Sequence, residues 1–234
     1  MQVPFLSCMY IKEVYNEERR EEGSGMKTRI IGNCNSPYHE QAGSDCIVLL
    51  PGFGYLFDRP LLAEMKQLAL QYGFSVLELS FGRLPYDKQQ MKASIDRCVP
   101  IALQIAQETL DGLSDKTFHF VGKSFGTIIA CLLREHADGA VLAWTPLKQT
   151  LPMLQSRDHL AYGNQDPFLD EEDLQTLAQL PCMDRLFCEG ANHSLCHPDP
   201  KQSEEYLAAA KQMMKRFLDE ILSEREYNKS CYER

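Results

Sequence analysis

FHFVGKSFGTIIACLL, residues 118–133, decides how this chain is read. At its centre stands Gly122-Lys123-Ser124-Phe125-Gly126, a G-x-S-x-G pentapeptide. The pentapeptide alone is a weak signal, and its flanks give it weight. Residues 117–121 are aromatic and β-branched, as a short buried strand should be. After the serine, Phe125, Ile128, Ile129, Leu132 and Leu133 recur at i, i+3, i+4, i+7 and i+8, the apolar stripe of a helix. Ser124 is therefore expected at a strand-to-helix turn, in a strained backbone conformation with its hydroxyl exposed. Glycine at 122 and 126 removes side chains that would collide with the adjoining strand and helix. The helix that follows aims its first amides at the same point, where negative charge is favoured.

The rest of the composition narrows the setting. At 234 residues, 44% of them hydrophobic, the chain can bury a full core, and one α/β domain spanning residues 1–234 is expected. The formal charge of −9 disfavours nucleic acid and anionic membrane as partners. No apolar run reaches membrane-spanning length, because Pro51 and Gly52 interrupt CIVLLPGFGYLF. The first twenty residues have neither a basic start nor a long apolar centre, so no secretory signal is expected. Nine cysteines, an odd number without a C-x-x-C pair, suggest reduced thiols and a cytoplasmic protein without a metal site.

Residues 8–14 and 28–32 read as strands joined by the charged run NEERREEGSG, an antiparallel hairpin at the sheet edge. Residues 33–44 are polar and read as a loop, with His39 on its surface. From residue 46 strands and helices alternate. The expected strands are 46–50, 74–79, 117–121, 139–144, 159–162 and 185–188. The expected helices are 61–72 ended by Gly73, 88–110 with Pro100 as a kink or break, 125–133, and a final helix opened by Asp199-Pro200. That final helix carries Leu207, Ala210, Met214, Phe217, Leu218 and Ile221 on one face. Such alternation implies a mostly parallel sheet with helices on both faces, and a site at the C-terminal ends of the strands.

The 118–133 stretch resembles the nucleophile elbow of the α/β-hydrolase superfamily, and the resemblance extends from about residue 46 to the C-terminus. The likeness is to small, nearly capless members. It implies a chain order of serine, then acid, then histidine. Ser124 would be the nucleophile. The base should follow the last strand, where RLFCEGANHSL supplies His193 in a G-x-x-H segment, with His197 as its rival. His119 and His159 lie within strands, and His136 lies near a helix end. The acid should come after the strand beyond the elbow. The segment after Trp144 offers no carboxylate, whereas Gly163-Asn164-Gln165-Asp166 resembles the family's acid turn, so Asp166 is preferred to Asp170. The oxyanion hole would use the backbone amide of Phe125 and one from the 52–54 loop, by position that of Phe53. Pro51-Gly52 stands where many relatives have His-Gly. Lys123, before the nucleophile, reads as structural or solvent-facing.

A serine at this place implies acyl transfer through a serine ester, rather than the chemistry of relatives with aspartate or cysteine there. The expectation is a serine hydrolase acting on a carboxylic ester, thioester or amide, a small-molecule acyl substrate, with no cofactor. Two other readings stay open: a binding or scaffolding protein that kept the fold without the activity, and an acyltransferase. Residues 147–158 are too few for a multi-helix cap. An open cleft follows, with Tyr55, Phe57, Phe81, Trp144 and Leu195 as lining candidates beside Phe53 and Phe125, although Phe125 and Trp144 could equally pack the core.

Overall fold

The computed structural model describes residues 19–20, 27–134 and 141–232. The expected strand over 8–14 lies outside them. Among the described residues nine strands form one sheet in the order β1-β2-β3-β5-β4-β6-β7-β8-β9. The strands are β1 (Arg19–Arg20), β2 (Lys27–Ile31), β3 (Ser36–Glu40), β4 (Asp45–Leu50), β5 (Ser75–Glu78), β6 (Thr117–Lys123), β7 (Val141–Trp144), β8 (His159–Gly163) and β9 (Asp184–Cys188). Pairings from β5 through β9 are parallel, while β1, β2 and β3 add an antiparallel edge. The helices are α1 (Pro60–Gln71), α2 (Met91–Asp111), α3 (Phe125–Arg134), α4 (Glu171–Gln179) and α5 (Pro200–Tyr232). The expected α/β class, mostly parallel with an antiparallel N-terminal edge, is the one found.

Alternation along β4 shows why helices cover both faces. Cys46, Val48 and Leu50 join one core with α2, α3 and α4, while Ile47 and Leu49 join the other with α1 and α5. Every residue of β4 is buried, which accounts for its continuous apolar sequence. Pro60 opens α1, where a missing amide costs nothing. Asp199 accepts from the Lys201 amide at the head of α5. Pro100 lies inside α2 without ending it.

Two expectations need correction. Residues 33–44 are not one loop, because β3 pairs along β2, with Tyr38 buried and His39 half-buried rather than on the surface. His39 Nε2 lies 2.8 Å from Glu78 Oε1, and its Nδ1 lies 3.0 Å from Thr28 Oγ1. Pro37 disguised this strand, yet only Tyr38 and His39 pair with β5, so the proline falls beyond that ladder. Helix α4 was not anticipated. It is announced by Asp170, whose carboxylate accepts from the Asp173 amide while Asp173 accepts from the Asp170 amide.

In the position of a possible cap, residues 145–158 hold one 3-10 turn, Lys148–Met153. It is tied down. Thr127 Oγ1, on α3, lies 2.6 Å from Thr150 Oγ1. Buried Arg134 pairs with buried Asp158 and donates to the Met153 carbonyl at 2.5 Å. Asp158 also accepts from the Gln155 amide at 2.7 Å.

Candidate active site

Strand order reverses at β4: α1 carries the chain to β5 on one side, and α2 returns it to β6 on the other. In open α/β sheets the crevice at such a point, outside the C-terminal strand ends, holds the ligand. The loop after β4 and the elbow after β6 meet there. Ser124 has φ +55°, a left-handed conformation that serine rarely adopts, so the expected backbone strain is present. The turn fits only because glycines surround it. A Cβ on Gly126 would stand 2.1 Å from the Leu50 carbonyl oxygen, and one on Gly122 would stand 2.7 Å from the Thr127 amide nitrogen. A Cβ on Gly52 would stand 2.8 Å from Ser124 Cβ, so the loop after β4 touches the serine itself. Thr127 donates to the Ser124 carbonyl at 2.6 Å and closes the turn.

The structure brings Ser124, His193 and Asp166 together. Ser124 Oγ lies 2.7 Å from His193 Nε2, and Asp166 Oδ2 lies 2.6 Å from His193 Nδ1. Asp166 Oδ1 accepts from the Phe168 amide at 3.0 Å, and the Phe168 ring meets the imidazole edge-on with centroids 4.5 Å apart. The turn that carries Asp166 and the loop that carries His193 are pinned to each other. The Gln165 amide donates to the Ala191 carbonyl at 3.0 Å, and the Gly190 amide to Asn164 Oδ1 at 2.6 Å. Asn192 Oδ1 accepts from the Ser194 amide at 2.8 Å and folds the loop that presents His193. Burial pulls the His193 imidazole below its ordinary pKa, the Asp166 hydrogen bond opposes that, and the charge of Lys123 lowers it further.

The rival residues are engaged elsewhere. Asp170 caps α4 and pairs with Lys148 at 3.0 Å. His197 Nδ1 accepts from the Asp199 amide at 3.0 Å. His119 lies 3.1 Å from Asp45 near the opposite end of its strand, and His159 pairs with Glu220 on α5 at 2.8 Å. His136 lies outside the described residues.

Phe125 is the first residue of α3, so its amide has no partner within the helix. Phe53 stacks on Tyr86 at 3.9 Å between centroids and tilts against Phe125 at 4.4 Å. Phe81 meets Phe125 edge-on at 5.7 Å. These rings line a cavity of about 180 Å³ beside the serine. A second cavity of about 510 Å³ adjoins it at Gly54 and is lined by Tyr55, Arg59, Leu195 and Glu204. Tyr86 was missed, although it follows β5 as Phe81 does and the same reasoning would have selected it.

Burial decides two readings that the sequence left open. Trp144 lines neither cavity. It is fully buried in the core beneath α1 and α5, where the alternation of β7 sends it. Lys123 does not face solvent. It is fully buried, donating to Thr145 Oγ1 at 2.5 Å and to the His193 carbonyl at 2.7 Å, with Nζ 4.8 Å from the centre of the Tyr55 ring. Among the described residues no group of three or more His, Cys, Asp or Glu side chains could hold a metal ion, and no helix is long and apolar enough to cross a membrane.

No protein-family model and no curated protein matches the sequence. Solved structures do match its shape. A protein of unknown function from Agrobacterium tumefaciens, a candidate alpha/beta hydrolase, superposes with a TM-score of 0.59 at 16% identity, over 82% of this chain and 96% of that one. An alpha-beta serine hydrolase homologue from Coxiella burnetii gives 0.53 at 13% identity, over 88% and 99%. An esterase from Pyrococcus furiosus gives 0.55 at 12% identity, over 82% and 91%. The chain has the α/β-hydrolase fold.

Proposed function

We propose that this protein is a serine hydrolase that cleaves a carboxylic ester, or a thioester or amide, through an acyl-enzyme on Ser124. The observation that carries the proposal is the continuous hydrogen-bonded line from Ser124 Oγ through His193 to Asp166, at 2.7 and 2.6 Å, on an elbow with positive φ. A serine hydroxyl is a poor nucleophile near neutral pH and needs both a base and a group that orients the base. His193 Nε2 takes the Oγ proton as Oγ bonds to the acyl carbon. It then returns that proton to the leaving group as the acyl bond breaks. Asp166 holds the tautomer with the proton on Nδ1 and stabilises the imidazolium. The Phe53 and Phe125 amides would carry the oxyanion. Water repeats the sequence and releases the acid.

The smaller, aromatic cavity borders Phe53 and Phe125, so we assign the acyl group to it. The larger cavity borders Leu195 in the base loop, so we assign the leaving group to it. Names of structural neighbours that are hydrolases and an esterase are consistent with this reading and carry no residue assignment. The test is turnover of a panel of acyl esters and thioesters by the protein and by Ser124→Ala. The expected loss is about 10³-fold or more, with the fold retained by circular dichroism. Activity near the parent level in Ser124→Ala would refute the assignment.

A further inference from the structure

Lys123 is fully buried beside the nucleophile, and among the described residues no carboxylate lies within ion-pair distance of it. Buried ammonium groups ordinarily have such a partner. Lys123 instead faces two oxygens and a ring: Thr145 Oγ1 at 2.5 Å, the His193 carbonyl at 2.7 Å, and Tyr55 at 4.8 Å. This set satisfies either protonation state. An ammonium donates to both oxygens and presents its third proton to the ring face. A neutral amine still donates to the His193 carbonyl, and the Thr145 hydroxyl can turn to donate to its lone pair. Loss of the proton therefore requires only the rotation of one hydroxyl.

We propose that Lys123 is the positioning residue of the base, holding the His193 main chain from beneath and coupling its own charge to that of the imidazole. The inference rests on the hydrolase reading. As Ser124 gives up its proton, the imidazole becomes a cation. A charged Lys123 beside it opposes that step, and a neutral Lys123 does not. Lys123 exchanges no atom with the substrate. The groups that face it are Tyr55 from the loop after β4, Thr145 after β7, Asp166 after β8, and His193 and Cys196 after β9. Desolvation brings its pKa down to about 7, with Asp166 and Cys196 opposing, so the coupling falls within the working range of the base.

The experiment combines the pH profile of kcat/KM on an activated ester with NMR titration of protein carrying 13C at the lysine Cε positions. In the parent protein one lysine should titrate near 7, and kcat/KM should rise with pH in two steps, the upper with its midpoint near that value. Lys123→Met should lose that resonance and rise in a single step. Its kcat should fall roughly ten-fold or more at the plateau, with little change in KM, because the base loop has lost its support. Thr145→Val removes a hydrogen bond that is charge-assisted with the ammonium and weaker with the neutral amine, so its upper step should move to lower pH. A purely structural lysine would lower activity in Lys123→Met without altering the shape of the profile. A single step in the parent, or two steps that persist in Lys123→Met, overturns the proposal. Should Lys123→Met fail to fold, an upper step unmoved in Thr145→Val overturns it, as does a parent protein in which no lysine titrates below about 9. Failure of the hydrolase reading looks different: the parent would turn over no ester, while the titration of Lys123 would still be visible by NMR.

Discussion

At the scale of the residue, two carboxylates four positions apart in sequence have opposite roles. Asp166 has one oxygen on His193 and the other on the Phe168 amide, whereas Asp170 caps a helix. Asp166→Asn should therefore lower kcat by roughly 10³-fold or more, because an amide cannot hold the imidazole tautomer or its cation. Asp170→Asn should leave kcat close to the parent value and lower stability only slightly by urea melting, since asparagine also caps helices well. The reverse order would show that the acid lies elsewhere. Lys123 makes a second prediction, for stability. Burial places its native pKa near 7, below the ordinary 10.5, so between those values the unfolded chain binds the proton that the native state has released. Native stability contributed at this position is therefore lowest at and below pH 7 and recovers as pH rises. The melting temperature of Lys123→Met, relative to the parent, should be higher at pH 7 than at pH 10. A difference that does not change with pH would contradict the burial argument. Ser124 was legible from the strand–turn–helix pattern around it, and Asp166 and His193 through the resemblance to the superfamily's chain order, acid turn and G-x-x-H segment. The sequence left Lys123 open between a structural and a solvent-facing role, because a lysine is ordinarily exposed and nothing local announces Thr145 or the His193 carbonyl as partners. Trp144 was offered as lining because it ends a strand, but the face of the sheet it takes depends on register, which only pairing reveals.

At the scale of the element, the elbow is a junction where three backbones touch. The 2.1 Å that would separate a Cβ on Gly126 from the Leu50 oxygen cannot be relieved by a side chain, since the obstacle is backbone. Gly126→Ala should destabilise by about 3 kcal/mol in denaturant melting. A loss below about 1 kcal/mol would mean that the junction is looser than described. The 145–158 segment is held by the Arg134–Asp158 pair and by Thr127 against Thr150, all buried. This makes it a fixed strap and not a moving lid. Breaking the pair with Asp158→Ala should cost about 3–5 kcal/mol, because the buried guanidinium loses its only countercharge and keeps the Met153 carbonyl alone. Its short length was legible, and so was the absence of room for a multi-helix cap. Strand β3 and helix α4 were not legible. Pro37 obscured the strand, and the carboxylate of Asp170 drew attention as a candidate acid when its work is the capping box.

At the scale of the molecule, the parallel sheet, the alternating cores and the reversal of strand order at β4 deliver Ser124, His193 and Asp166 to one crevice from three separated stretches of chain. Much of this architecture could be read from residue 46 onward, α4 excepted, because apolar strands alternate with 3.6-residue stripes. The pairing of the N-terminal edge could not, since short polar strands carry little periodic signal. The small aromatic cavity sets the expected substrate range. Across p-nitrophenyl esters kcat/KM should peak at short to medium acyl length, with no jump in rate at a lipid interface. Each further buried methylene would contribute only about 0.8 kcal/mol and finds little room beyond the 180 Å³ available. A steady rise through long-chain esters would contradict that assignment. An activated nucleophile at Ser124 should react with a fluorophosphonate, so the folded protein is treated with one and the adduct mapped by peptide mass spectrometry. One phosphonyl group per chain is expected on Ser124, formed rapidly by the parent and lost in His193→Ala. Failure of the parent to label, or an adduct on any other residue, would contradict this expectation.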